Sequence, residues 1–300
     1  MHYYSLNQAM KERFGCKVYK LALDGGMTCP NRDGTIGERG CIFCSDVDSG
    51  EFASPACGNI SRQIAQAKAR VEKKNKGGKY VAYFQSFTNT YGPLPYLERI
   101  FREAMEPEDI VALSVATRPD CLGPEVIDLL AQLNTCKPVW VELGLQTIHP
   151  ASARYIRRGY DLEVYDRAVR VLKEADLEVI THVILGLPGE SHAQMVETVR
   201  YVGQSGVDGI KLQLLHVLEG TDLAQDWREG KVPVMELEDY VRLLEDCLAV
   251  LPPDMVIHRL TGDGYKRDLL APLWTGDKKR VLNTINQTFA RDGVCQGSQL

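Results

Sequence analysis

Apolar residues along this chain come in two alternating rhythms. Six short runs, 18–23, 80–85, 110–116, 139–145, 179–185 and 209–215, are rich in Val, Ile and Leu. Runs of that length and composition predict strands covered on at least one face. Residues 60–74, 96–105, 124–133, 162–175, 193–205 and 235–251 instead space their apolar positions for one face of a helix. In the last of these the apolar positions are 237, 241, 244, 248 and 251. Six strands alternating with six helices predict a parallel α/β sheet with right-handed crossovers. The period alone does not separate a sheet that curls into a barrel from one that stays open and doubly wound. In either form, functional residues belong at the carboxyl ends of the strands. The unusual polar residues do gather there, in the segments that follow each run. The alternation stops at Pro252. Residues 1–251, with a short N-terminal segment, are therefore expected as one core domain, and 252–300 as an extension packed on it.

Composition leaves this picture in place. Of 300 residues, 44% are hydrophobic and 25% charged, ordinary for a soluble globular chain able to bury a large core. The net charge of −5 is no footprint of general nucleic-acid binding. A local basic stretch, Lys266 to Arg280, holds five Lys and Arg residues and fits either a phosphate contact or an amphipathic cover. The N-terminus has no apolar signal segment, and no apolar run reaches the ~18 residues of a membrane span. A cytoplasmic location and no membrane partner are expected.

The nine cysteines change the picture. Cys16, Cys57, Cys121, Cys136, Cys247 and Cys295 are scattered, and small buried hydrophobes or free thiols account for most of them. Cys29, Cys41 and Cys44 are different: they read Cys-x11-Cys-x2-Cys in the loop after the first strand. Clustered cysteines in a reducing compartment point to metal ligation or catalysis. Three thiolates suit a four-iron cluster whose remaining iron has no protein ligand. They also suit structural zinc, given a fourth ligand such as Cys57 or a histidine. Phe43, just before the last cysteine, and glycine-rich strand ends suited to a nucleotide-like ligand favour the cluster.

Longer segments carry a resemblance. LALDGGMTCPNRDG, GCIFCS, YFQSFTNTY, SVATRPDCL, VELGLQT, HVILGLPGE and HRLTGDGYKRDLLAPLWTGDKK follow one another in order. Together they resemble the YhcC/YtqA-like subgroup of the radical S-adenosylmethionine (radical SAM) superfamily over nearly the whole chain. The superfamily's usual spacing is Cys-x3-Cys-x2-Cys, and the longer first gap here is similar to that of the Elongator catalytic subunit and its relatives. The resemblance implies a partial (β/α)6 barrel of the radical SAM type with a C-terminal extension. It implies a [4Fe–4S] cluster on Cys29, Cys41 and Cys44, with S-adenosyl-L-methionine (SAM) chelating the open iron. Phe43 would then pack near the adenine. A Gly-Gly-Glu-like segment after the second strand, common in the superfamily, is absent, so Gln85 and Thr88 are the candidates for the methionine amino group. Glu142 and Gln146 resemble polar positions that face the ribose and methionine. Arg158, and after it Arg118, suit the methionine carboxylate, and Gly186 and Gly189 would bring the backbone close to the adenine. Asn89, Tyr91, Lys211, Gln213, His216, His258, Arg259 and Asp263 are substrate candidates on the same rim. For a lone histidine such as His216 or His258, a satisfied structural role is the commoner one. The resemblance further implies a tRNA substrate, with 5-carboxymethylaminomethyl-uridine at the wobble position converted to 5-aminomethyl-uridine. A reductant such as flavodoxin or ferredoxin would supply the electron. A small-molecule or protein substrate, or a metal-binding scaffold without activity, are the alternatives.

Overall fold

The computed structural model describes residues 2–45, 59–72, 75, 77–85, 87–262 and 266–300. Cys57 and Asp263 lie outside the described residues. The six expected strands form, with ends shifted by a residue or so: β1 (Val18–Leu23), β2 (Lys79–Phe84), β3 (Ile110–Thr117), β4 (Val139–Gln146), β5 (Glu178–Leu185) and β6 (Gly209–Leu214). They pair in sequence order, each parallel to the next. β7 (Val217–Leu218) pairs antiparallel with β9 (Leu269–Ala271) in a separate ribbon. β8 (Val256–Arg259) pairs parallel with β6, so the sheet has seven strands, one more than the periodicity predicts. The extra strand comes from the segment expected as a cover. Its four residues, VIHR, are too few and too mixed in polarity to read as a strand.

Ten α-helices complete the described fold: α1 (Leu6–Phe14), α2 (Ile60–Val71), α3 (Leu94–Met105), α4 (Pro124–Asn134), α5 (Pro150–Tyr155), α6 (Leu162–Glu174), α7 (His192–Gln204), α8 (Asp222–Arg228), α9 (Leu237–Ala249) and α10 (Lys278–Asp292). Local chemistry sets their ends. Ser191 and Gln194 form a capping box at the start of α7, each side chain accepting from the other's backbone N–H. α6 buries Tyr165, Ala168, Val169 and Leu172 at helical spacing. α1, α5 and α8 are short and bury only two residues each, which hides them from a periodicity search. The outward faces of the strands and the inward faces of the helices make one large core around Leu21, Phe84, Leu113, Val141, Val183 and Leu212.

Strand side chains alternate between the two faces of the sheet, so the inward face of this half-barrel is built in layers. The lowest is apolar: Val81, Ala112, Trp140 and Ile180 pack on Ala9 and Met10 of α1. α1 packs against both edge strands, β1 and β8, and the preceding Ser5 bridges to Ile257. It thus plugs the amino end of the half-barrel. Two residues further along each strand the layer turns polar, with Lys20, Tyr83, Ser114, Glu142, His182, Lys211 and His258. Above it stand Ala22, Gln85, Ala116, Gly144, Ile184 and Gln213, which line an open cavity. Among the described residues no helix is long and apolar enough to cross a membrane.

Candidate cofactor and substrate cavity

The cavity has a volume of about 640 Å³ and opens at the carboxyl ends of the strands. Cys29, Cys41 and Cys44 all line it, each half-buried. Their loop is held from within. The backbone N–H groups of Arg32 and Asp33 donate to the carbonyl of Cys29, and that of Cys44 donates to Cys41. Arg32 donates to the carbonyls of Cys44 and Ser45 at 3.0 and 2.8 Å. Asn31, buried and missed by the sequence analysis, donates to the carbonyl of Arg157 at 2.6 Å and to Sγ of Cys41 at 3.6 Å. It therefore ties the cysteine loop to the loop after β4 and places an N–H on one of the three sulfurs. An Asn two residues after a cysteine carries no signal of that in sequence.

A tetrahedral zinc ion holds its sulfurs about 3.8 Å apart, given a Zn–S bond of about 2.3 Å. Among the described residues no three His, Cys, Asp or Glu side chains are grouped to hold one metal ion. A four-iron cluster places each cysteine on a separate iron, so its sulfurs stand farther apart. Three thiols lining one cavity, one of them receiving an N–H, are a donor set that fits a four-iron cluster.

The other expected positions divide. Phe43 lines the cavity and packs against the apolar group of Ile42, Ile156, Ile184 and Leu215. Gln85 and the buried Thr88 line it too. Gln146 lines it at a bulge in β4, with a φ of 69° that a side chain larger than glycine adopts at a cost. Its Oε1 is buried and has no hydrogen-bond partner among the described residues. A strained residue with an orphaned acceptor at a cavity wall is what a missing ligand donor leaves behind. Gly186 and Gly189 do not line the cavity. Their φ values of 87° and 83° show them turning the chain after β5, where a Cβ would be strained.

Arg158 lines the cavity but spends its guanidinium on the backbone. It donates to the carbonyls of Leu145 (3.1 Å), Thr147 (2.6 Å) and Tyr160 (3.0 and 2.9 Å). It also stacks on the Tyr160 ring. A methionine carboxylate would have to displace these bonds, which clamp the end of β4. Arg118 donates two bonds to Asp120 and also faces the cavity.

Glu142 lies deeper than a ribose contact requires. It is fully buried, and its Oε1 accepts from Lys20 Nζ (2.5 Å) and Ser114 Oγ (2.6 Å). Its Oε2 meets Nε2 of His182 at 2.7 Å and accepts from Lys211 Nζ, which also donates to the Tyr83 hydroxyl at 3.0 Å. Burial works to raise the Glu142 pKa, but Lys20, Lys211 and His182 outweigh it and hold the carboxyl well below its usual range. Burial drives Lys211 down to about 7 against the pull of Glu142. Burial, then Lys211, push His182 down to about 4. Of the substrate candidates, Lys211, Gln213, His216, His258 and Arg259 line the cavity. Asn89 instead donates to the carbonyl of Ala116, and Tyr91 bonds to Thr35.

A parallel half-barrel with three cysteines on the loop beyond its first strand, at the mouth of a deep polar cavity, defines a cofactor-dependent enzyme of the radical type. Comparison with known proteins gives the family. The Radical SAM superfamily profile matches residues 33–202, and the Radical_SAM C-terminal domain profile matches 207–291. The chain belongs to the radical SAM superfamily, whose members use a [4Fe–4S] cluster and SAM. It is 44% identical to YtqA of Bacillus subtilis (strain 168) over 295 residues, 98% of this chain and 92% of that protein. It is 32% identical to the tRNA uridine(34) acetyltransferase of Dehalococcoides mccartyi (strain CBDB1) over 156 residues, 51% of this chain and 33% of that protein. The structure of archaeal Methanocaldococcus infernus Elp3 superposes with a TM-score of 0.70 at 18% identity, covering 93% of this chain and 64% of that one. This last likeness bears on the fold.

Proposed function

We propose that this radical SAM enzyme modifies the side chain of a wobble uridine in tRNA, converting 5-carboxymethylaminomethyl-uridine to 5-aminomethyl-uridine. The supporting observation is that 156 residues, 51% of this chain, are 32% identical to a tRNA uridine(34) acetyltransferase. Cys29, Cys41 and Cys44 would hold three of the four irons of the cluster, with Asn31 orienting Cys41. Gln146, Gln85 and Thr88 offer polar contacts to SAM, and Phe43 offers an aromatic face. Bound there, the cluster and SAM supply a 5′-deoxyadenosyl radical when one electron, from a reduced flavodoxin or ferredoxin, cleaves a carbon–sulfur bond and releases methionine. The chain's own part is to hold the target C–H bond against that radical and keep water away. The glycine-like methylene of the carboxymethylamino group carries a hydrogen suited to abstraction.

Two measurements test this. Anaerobically purified protein should be brown, and Cys29→Ala, Cys41→Ala or Cys44→Ala should remove the colour and the iron. Nucleoside analysis of tRNA from a strain lacking the gene should then show 5-carboxymethylaminomethyl-uridine accumulating. An unchanged wobble-uridine profile, with 5′-deoxyadenosine formation indifferent to added tRNA, would move the substrate to a small molecule or a protein.

A further inference from the structure

We infer that the floor of the cavity is a seat for a carboxylate carried by the substrate, with Lys211 and Lys20 as its cationic contacts. The inference deepens the wobble-uridine reading and rests on it only for the identity of the group that bears the carboxylate.

Two ammonium groups, from β1 and β6, meet the single carboxylate of Glu142. The side chain of Lys20 is 18% exposed and that of Lys211 5%. Arg259 of β8 lines the same cavity, and its charge repels Lys20, Lys211 and His182. Among the described residues the other carboxylate on the cavity wall, Asp268, is paired with Arg267 at 3.0 Å. Tyr83, His182 and His258 complete the polar layer and supply no negative charge at neutral pH. Among the described residues the floor thus sets two lysines against one carboxylate in a place shielded from water, an arrangement that costs free energy unless an anion completes it. Without one, the groups respond by giving up protons: Lys211 and His182 are both shifted toward the neutral form.

Shape selects the kind of anion. The small Ala22 and Ala116 stand in the layer just above and line the cavity together with the cysteines and Lys211, while the Gln146 side chain sits over Gly144. Trp140 and Ile180 close the layer below. A planar carboxylate at the end of a short chain fits such a well, whereas a phosphodiester with its flanking sugars stays at the rim. In 5-carboxymethylaminomethyl-uridine the carboxylate is bonded directly to the methylene proposed to lose hydrogen. Seating it on Lys211 would hold that methylene above the floor and below the cysteine mouth. The same contact would reject the 5-aminomethyl product, which is cationic and would meet lysines.

The test uses cluster-loaded enzyme under anaerobic conditions, with N-acetylglycine and its methyl ester as probes and ligand-observed NMR as readout. Wild type should bind the acid at least tenfold more tightly than the ester. Lys211→Met, which leaves Lys20 and Glu142 as a one-to-one pair, should lose that preference, and Lys20→Met serves as the second variant. Equal binding of acid and ester, equal binding by wild type and both variants, or no binding of the acid overturns the seat. Preference for the acid, lost in Lys211→Met, in a protein that neither retains nor alters tRNA would leave the seat standing and end the wobble-uridine reading. Conversion of wobble uridine in tRNA at equal rates by wild type and Lys211→Met would end the seat alone.

Discussion

Replacing Glu142 by Gln keeps the shape of the side chain and removes its charge. Lys20, Lys211, His182 and Ser114 all meet that carboxylate. A glutamine offers one acceptor oxygen, and its NH2 group points a donor at other donors. Removing one partner from a buried charge network costs about 3–5 kcal/mol. The lysines can escape by releasing protons, and this bounds the loss. Lys211 is already down to about 7, so its release at pH 7 costs little. Neutralising a free lysine at pH 7 costs about 4.6 kcal/mol, and burial already lowers the Lys20 pKa, so its share lies below that. The two routes agree on roughly 3–5 kcal/mol. At 2–3 °C per kcal/mol for a chain of this size, the melting temperature should fall by roughly 6–15 °C. The deficit should also depend on pH. The unfolded variant binds more protons than the folded one wherever Lys20 is forced neutral, so its stability rises with pH. Between pH 7 and 9 the gap to wild type should close by at most about 2.7 kcal/mol, and by less to the extent that burial already lowers the wild-type Lys20 pKa. Urea denaturation of both proteins at the two pH values measures this. A deficit under about 1 kcal/mol, or the same deficit at both, would refute the view that Glu142 neutralises two buried lysines.

Asn31→Ala should leave the iron content near that of wild type but shift the cluster potential to more negative values, because one N–H···S contact to Cys41 is lost; an EPR-monitored redox titration reads the shift. Arg158→Met should cost about 2–4 kcal/mol in denaturant unfolding, through three carbonyls left without their donor. If Arg158 instead served mainly as a carboxylate fork, the variant would lose SAM affinity while keeping its stability. Acid should weaken wild type between pH 6.5 and about 4, since folded His182 resists the proton that the unfolded chain accepts. Its share is at most about 3.4 kcal/mol, and His182→Gln should flatten that part of a stability-against-pH curve.

Much of this was readable from residue order alone. The six main strands and the helices between them follow from apolar period, because strand and helix side chains repeat at different intervals. The cysteine trio is legible because its spacing is short enough to sit in one loop, and Phe43 travels with it. Elements that bury little stayed hidden, as α1 and β8 show. α1 buries only Ala9 and Met10, yet it seals the base of the half-barrel.

Residue roles were less legible than residue positions. An arginine in the loop after β4 reads as a carboxylate partner, but only the folded loop shows its donors committed to carbonyls. The strain at Gln146 likewise appears only once β4 bulges against β5. The cavity floor is the clearest case. Lys20 and Glu142 are 122 residues apart in sequence, and Glu142 and Lys211 are 69 apart. No local pattern links them. The sequence determined the class of sheet and the cofactor loop, because both depend on neighbours along the chain. Only the curl of the sheet, which turns alternate side chains of separate strands toward a common interior, decided that two lysines would share one buried carboxylate.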